Sequence, residues 1–172
     1  MSREVTEAHY LHERSGLEAV LRAPVQDPTA LRWVPGREEL IVGTRAGELV
    51  SVDPVLGTRT IGEGLGDIAN IDVHPDRQRY LAVSREGHFL VGTLRGEHLF
   101  SGRHPFVAGI EVTLADKHAL IVGDEPDARM MLVVSLETGD VTARVRLPAR
   151  VVATLDPEGG PCSAAPRRPG SA

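Results

Sequence analysis

A repeat of about 40 residues constrains this chain more than any other feature of its sequence. Pro35 and Pro75 are 40 positions apart, and neighbouring positions align at the same step without a gap. The letters Leu-Ile-Val-Gly at 40–43 recur unchanged at 120–123, two steps later. A repeat of this length is typical of one supersecondary unit that buries its apolar surface against the next unit.

Each unit contains four short apolar segments, named here a to d. Strand a is predicted at 30–34, 69–73 and 109–114, strand b at 40–44, 80–84 and 120–123, strand c at 48–52, 88–92 and 130–134, and strand d at 58–61, 97–100 and 141–147. Strands spaced about 8–12 residues apart and joined by tight turns indicate an antiparallel meander. The b segments are apolar without alternation, which predicts strands buried on both faces. The predicted fold class is therefore all-β, a β-propeller of about three full four-stranded blades with partial blades at both ends.

The repeat also divides the chain. We predict an N-terminal extension at 1–8, a half blade at 9–22, blades at 23–61, 62–101 and 102–148, the start of a further blade at 149–159, and a disordered Pro/Ala/Arg tail at 160–172. The tail has almost no apolar residues to bury, which favours disorder. For the N-terminal segment an alternative stays open, a helix capped by Ser2 with Glu4 and Glu7 in its first turns.

Closure of the ring has two outcomes. The partial blades at the two ends combine into a small four-bladed ring, or the chain is an open arc, a piece of a larger propeller. An end face of roughly 500 Å² of apolar surface left in water would forfeit about 12 kcal/mol. That loss equals the whole stability of a typical domain, so an open arc is expected to self-associate through its uncovered blade faces or to need a partner.

The second unit resembles a blade of the WD-repeat β-propellers. Val-His-Pro-Asp at 73–76 ends strand a in a turn of the family's kind, and Tyr-Leu-Ala-Val-Ser at 80–84 leads through Gly87 to strand c. The resemblance covers roughly 9–159 and departs from the pattern at its name-giving Trp-Asp pair, of which only Asp53 remains. It implies a divergent, bacterial-type WD-like propeller.

That resemblance also implies a binding face. Ligands of such propellers generally sit on the rim formed by the b-to-c loops and the d-to-a connections. The residues that the resemblance places there are charged or titratable: Arg45, Glu48, Asp67, Arg85, Glu86, His88, His104, Asp124, Glu125, Asp127 and Arg129. The alternative interpretation is that these are solvated turn charges, with Arg45 and Arg85 each paired to the adjacent Glu48 or Glu86.

Composition excludes several classes of function. The net charge of −5 and a pI near 5.8 argue against nucleic-acid binding, which needs a clustered basic surface. A single cysteine, Cys162, forms no internal disulfide and no thiolate metal site. The first 20 residues lack the apolar core of a signal peptide, and no apolar run is long enough to cross a membrane. We therefore expect a cytoplasmic protein with no cofactor, metal or membrane partner.

The functional prediction is a non-enzymatic module that binds a protein partner. No phosphate-binding loop and no nucleophile elbow is present in the sequence. The alternative is part of a propeller-fold enzyme of lactonase or hydrolase type, with its site in the central channel. That alternative needs acids or histidines on the inner strands, where the sequence offers Asn70, Asp72 and Glu111.

Overall fold

The computed structural model describes residues 6–12, 17–23, 25–74, 76 and 78–148, with side chains from Val25 onward. In this part of the chain every regular element is a β-strand. None of the described residues forms a helix long and apolar enough to cross a membrane.

Twelve of the strands form three four-stranded antiparallel sheets, as predicted. Blade 1 contains β3 (Pro28–Trp33), β4 (Leu40–Thr44), β5 (Leu49–Asp53) and β6 (Gly57–Gly62). Blade 2 contains β7 (Ile68–Val73), β8 (Arg79–Ser84), β9 (His88–Thr93) and β10 (His98–Arg103). Blade 3 contains β11 (Ala108–Leu114), β12 (His118–Glu125), β13 (Ala128–Ser135) and β14 (Val141–Leu147). Each strand pairs with the next in sequence, so each blade is a meander.

The 40-residue step is preserved in the backbone. In every blade the pairing of the first two strands shifts register near the start of the inner strand: between Pro28 and Ala30, between Ile68 and Asn70, and between Ala108 and Glu111. A bulge adds twist to a strand and turns the following residues to a new direction. The three inner strands therefore bend at equivalent points.

The core lies between blades, which explains the uninterrupted apolar b strands. Tyr80 and Ala82 of β8 pack in a cluster with Ile41 and Leu49 of blade 1. Their neighbours Leu81 and Val83 point to the other face and pack with Ile121 and Leu132 of blade 3. Successive side chains of a strand alternate between faces, so a strand covered on both sides must be apolar at every position. Burying each large side chain contributes about 1.5–3 kcal/mol.

The outermost strands face solvent. β6, β10 and β14 are largely exposed, and Val141 and Val145 of β14 retain 38% and 39% of their accessible surface. The weaker hydrophobicity of the d segments reflects this position at the edge of each sheet.

The N-terminal segment is a hairpin, β1 (Thr6–His12) paired antiparallel with β2 (Leu17–Ala23). The helix considered for this segment is therefore absent from 6–12 and 17–23. The predicted further blade at 149–159 and the tail at 160–172 lie outside the described residues.

Candidate functional site at the loop rim and an adjoining cleft

The antiparallel meander gathers the predicted site residues at one edge of the three sheets. In each blade strand b ends, strand c begins and strand d ends at this edge. The b-to-c turns and d-to-a connections there form the surface that we call the rim, and it includes the eleven predicted binding residues. The sequence therefore placed these residues on one side of the molecule, although their roles differ.

Backbone hydrogen bonds fix the rim within each of the first two blades. The Arg45 amide donates to the Asp27 carbonyl at 3.0 Å, and the Arg85 amide donates to the Asp67 carbonyl at 2.7 Å. Asp27 adopts a φ of 44°, a left-handed conformation that aspartate tolerates better than most residues. The b-to-c turns are thus tied to the connections that precede their blades.

The Arg85 side chain corrects one expectation. Its Nε lies 3.1 Å from Asp67 Oδ2, so Arg85 pairs across the rim and not with the adjacent Glu86. The two residues are far apart in sequence, and only the packing of the connection against the turn brings them together. Since the Arg85 side chain is about two-thirds exposed, the pair contributes about 1 kcal/mol or less.

Each b-to-c turn also touches the connection that leaves its blade. The Gly47 carbonyl accepts from the Leu65 amide at 3.4 Å, and the Gly87 carbonyl accepts from the His104 amide at 2.8 Å. Both glycines have positive φ, 87° and 77°, and a Cβ on Gly87 would lie 1.6 Å from the His104 carbonyl oxygen. The repeated glycine is therefore required for conformation and for close approach.

The rim of blade 3 is built differently. Strands β12 and β13 are eight residues long, against five for β4 and β5, and they meet at a tight Pro126-Asp127 turn. Blade 3 therefore has a longer hairpin and a shorter b-to-c loop than blade 1. Glu125 then reaches back to His104, with Oε1 2.6 Å from Nε2, and the His104 ring packs edge-on against Phe106. His104 is buried and serves as a joint between blades 2 and 3.

Arg129 and Asp124 are also engaged within blade 3. The Arg129 guanidinium donates to Glu111 at 2.8 Å and to Asp124 at 3.3 Å, and the Asp124 carbonyl accepts from the Val107 amide. These contacts hold the start of β11 against the hairpin. Of the eleven predicted residues, six are thus part of the scaffold: Asp67, Arg85, His104, Asp124, Glu125 and Arg129.

Four predicted residues present their side chains to solvent. Arg45, Glu48, Glu86 and Asp127 are exposed, and their side chains make no hydrogen bond or ion pair with any other described residue. Two are positioned by hydrogen bonds of their own backbone: the Glu48 amide donates to Thr44 Oγ1, and the Asp127 carbonyl accepts from Arg146. We call these four residues the free rim charges.

His88, at the rim end of β9, also lines a second surface, a cleft of about 390 Å³ between blades 1 and 2. The cleft is lined by the connection after β6 and by β9 and β10: Glu63, Gly64, Leu65, His88, Phe89, Leu90, His98, Ser101, Gly102 and Arg103. Sequence reasoning missed His98, Ser101 and Arg103, because their convergence depends on the register of β10 against β9 and on the neighbouring blade. No signal in the sequence marks them.

The inner strands use their polar residues to join blades. Asp72 Oδ2 accepts from the Leu114 amide at 2.8 Å, and Oδ1 lies 2.6 Å from Arg32 Nη2 in an ion pair without hydrogen-bond alignment. Asn70 Nδ2 donates to the Ile110 carbonyl at 3.2 Å. Within the described part of the chain, no three His, Cys, Asp or Glu side chains come together in a metal-binding arrangement.

Three stacked four-stranded meanders with inner strands side by side define the class of this protein as a β-propeller. Among solved structures it is similar to the WD40 domain of coronin from Toxoplasma gondii, with a TM-score of 0.67 and 10% identity over 81% of this chain and 40% of that one. It is also similar to BamB from Moraxella catarrhalis, with a TM-score of 0.62 and 16% identity over 78% of this chain and 43% of that one.

These similarities establish the fold, a divergent WD40-like β-propeller architecture. The chain spans less than half the length of either solved structure. No sequence profile of a known protein family matches it, and no curated protein is similar to it in sequence.

Proposed function

We propose that this protein is a non-enzymatic, cytoplasmic interaction module that binds another protein through its rim. The observation that carries the proposal is the set of free rim charges, which lie on turns locked by backbone hydrogen bonds. Arg45 and Glu48 flank one turn, and Glu86 and Asp127 lie on the next two. Side chains that no described residue of the chain pairs with are available to a partner of complementary charge.

Rigidity of the rim supports the same proposal. Binding residues concentrate on loops that a rigid scaffold positions, and a preformed surface loses little conformational entropy on association. The mixed signs of the four charges favour a protein surface over nucleic acid, as does the net charge of −5.

A competing enzymatic function would place its chemistry in the central channel. Asp72, Asn70 and Glu111 are the inner-strand candidates, and each one is engaged by another strand. Asp72 and Asn70 join blade 2 to blade 3, and Glu111 pairs with Arg129 within blade 3. These structural roles account for the three residues without a reaction, which supports the interaction proposal.

Charge reversal at the rim tests the proposal. In an Arg45→Glu/Glu86→Lys variant the net charge is unchanged, and no side-chain hydrogen bond or ion pair with a described residue is lost. Arg95→Glu/Glu137→Lys makes the same change at exposed turns on the opposite edge of the sheets. Quantitative affinity capture from the source cells is expected to recover a protein partner with wild type and the control, and at least tenfold less with the rim variant. Equal recovery with both variants would contradict the proposal.

A further inference from the structure

The cleft between blades 1 and 2 combines apolar walls with polar groups that have no partner among the residues that the structure describes. Leu90 and Leu65 belong to the buried core cluster shared by the two blades, and they also line the cleft. Above them, the side chains of His88, His98, Ser101 and Arg103 make no hydrogen bond or ion pair with any other described residue. His98, Ser101 and Arg103 are exposed and His88 is half-buried, so all four side chains are accessible to a ligand that enters the cleft.

Strand register explains why these groups face the same space. Arg103 lies directly opposite His88, and Ser101 lies opposite Leu90, on the antiparallel pair β9 and β10. Since side chains alternate along a strand, Arg103 and Ser101 share a face with His88 and Leu90. Leu90 packs against blade 1, so this face is the one turned toward the cleft.

The chemistry of the set favours an anion. A guanidinium binds carboxylate and phosphate oxygens in a bidentate fashion, imidazole and hydroxyl groups donate further hydrogen bonds, and none of these is occupied. Glu63 is the acidic residue of the lining, and it is exposed on the connection between blades 1 and 2. A volume of about 390 Å³ lies in the range of small-molecule sites and is far larger than a single phosphate needs.

We propose that this cleft binds a small organic oxyanion, a phosphate or carboxylate group attached to an apolar body. The oxyanion contacts Arg103, His88 and Ser101, and the apolar body lies on Leu65 and Leu90. None of the free rim charges lines the cleft, so this site is separate from the surface proposed to bind a protein.

Titration followed by NMR tests the proposal on the full chain. The probes are phenyl phosphate, benzoate, inorganic phosphate and phenol, each compared with sodium chloride at equal ionic strength. We expect phenyl phosphate or benzoate to shift the amide signals of 101–103 and the imidazole signals of His88 and His98. Affinity is expected to be at least tenfold higher than that for inorganic phosphate or phenol, because those probes each lack one half of the ligand.

Variants with opposite expected effects on affinity distinguish a specific binding site from non-specific charge attraction. Arg103→Gln is expected to weaken binding at least tenfold, and Glu63→Gln is expected to strengthen it a few-fold by removing a repulsive carboxylate. Arg95→Gln, an exposed arginine away from the cleft, is expected to leave affinity unchanged. Shifts no larger than those with sodium chloride, or equal losses in Arg103→Gln and Arg95→Gln, would overturn the proposal.

Discussion

Asp72 shows how one buried carboxylate can join three blades. It lies on the inner strand of blade 2, pairs with Arg32 of blade 1 and accepts a hydrogen bond from the Leu114 amide of blade 3. The carboxylate is almost fully buried, whereas the Arg32 side chain is about half exposed. The two partners therefore contribute unequally to stability.

We expect Asp72→Ala to lower the free energy of unfolding by about 1–3 kcal/mol, because it leaves the buried Leu114 amide without an acceptor. Arg32→Ala is expected to cost less, about 1 kcal/mol, because the Arg32 side chain is half exposed and solvent screens its charge. Urea unfolding followed by circular dichroism measures both. Equal losses in the two variants would show that the interblade hydrogen bond is not the main contribution.

The buried phenol of Tyr80 makes the free energy of unfolding depend on pH in the alkaline range. Its hydroxyl donates to the Ile61 carbonyl at 2.8 Å, and burial raises its pKa from 10.0 to about 12. The folded chain then holds this proton more tightly than the unfolded chain, so the stabilisation is present below pH 10 and is lost as the pH rises toward 12.

Between these pH values we expect wild type to lose roughly 2 kcal/mol more than Tyr80→Phe, which has no phenol to ionise at this position. Guanidinium unfolding at several alkaline pH values measures the difference. Parallel pH profiles for the two proteins would contradict the assignment of a buried, neutral phenol.

At the scale of elements, the b-to-c turns determine how closely neighbouring blades approach. Gly87 and Gly57 have nearly the same positive φ, 77° and 80°. A Cβ on Gly87 would overlap the His104 carbonyl, whereas a Cβ on Gly57 would meet nothing within 4 Å. Alanine substitutions at the two glycines therefore distinguish the cost of a left-handed backbone from the added cost of a steric overlap.

We predict that Gly57→Ala costs about 1–2 kcal/mol, the strain of a left-handed alanine alone. Gly87→Ala is expected to cost about 3 kcal/mol or more, since the turn and the connection must also move apart. Thermal and urea unfolding of both variants measures the difference. Similar losses of unfolding free energy in the two variants would mean that the turn shifts at little cost and does not set the spacing of the blades.

At the scale of the whole molecule, blade 2 is covered on both faces by its neighbours. The b strands of blades 1 and 3 are also buried on the faces turned away from blade 2, since Val42 and Val122 retain 0% and 3% of their accessible surface. The aligned part of the chain covers 40% and 43% of the two similar solved structures. Leu31 on the inner strand of blade 1 and Val145 on the outer strand of blade 3 remain 48% and 39% exposed. A propeller blade normally covers its apolar surface with the next blade.

We expect the chain to self-associate, so that light scattering after size exclusion gives a mass above 18.5 kDa that rises with concentration. Val145→Lys is expected to lower that mass, because it places a charge on the outer sheet of blade 3. Val55→Lys, at an 89% exposed turn position, is the matched control. A compact monomer at every concentration would contradict self-association.

Much of the fold was predictable. The 40-residue repeat indicates one four-stranded blade per unit, and the uninterrupted apolar b segments indicate strands that are buried on both faces. The site was predictable only in part. Arg45 and Glu48 were assigned to the rim by their place between strands, which is local information. The pairing of Arg85 with Asp67 and of His104 with Glu125 involves residues about 20 positions apart, which become neighbours only through the packing of turns against connections.

By itself, the sequence determined the number of complete blades, the order of their strands and the edge that carries the charged turns, since alternation and turn chemistry are properties of short segments. Only the tertiary structure decided which charges hold the scaffold and which remain free, and it alone revealed the cleft that Arg103 and His98 share. Those outcomes depend on strand register and on the contact of one blade with the next, and no short segment contains either.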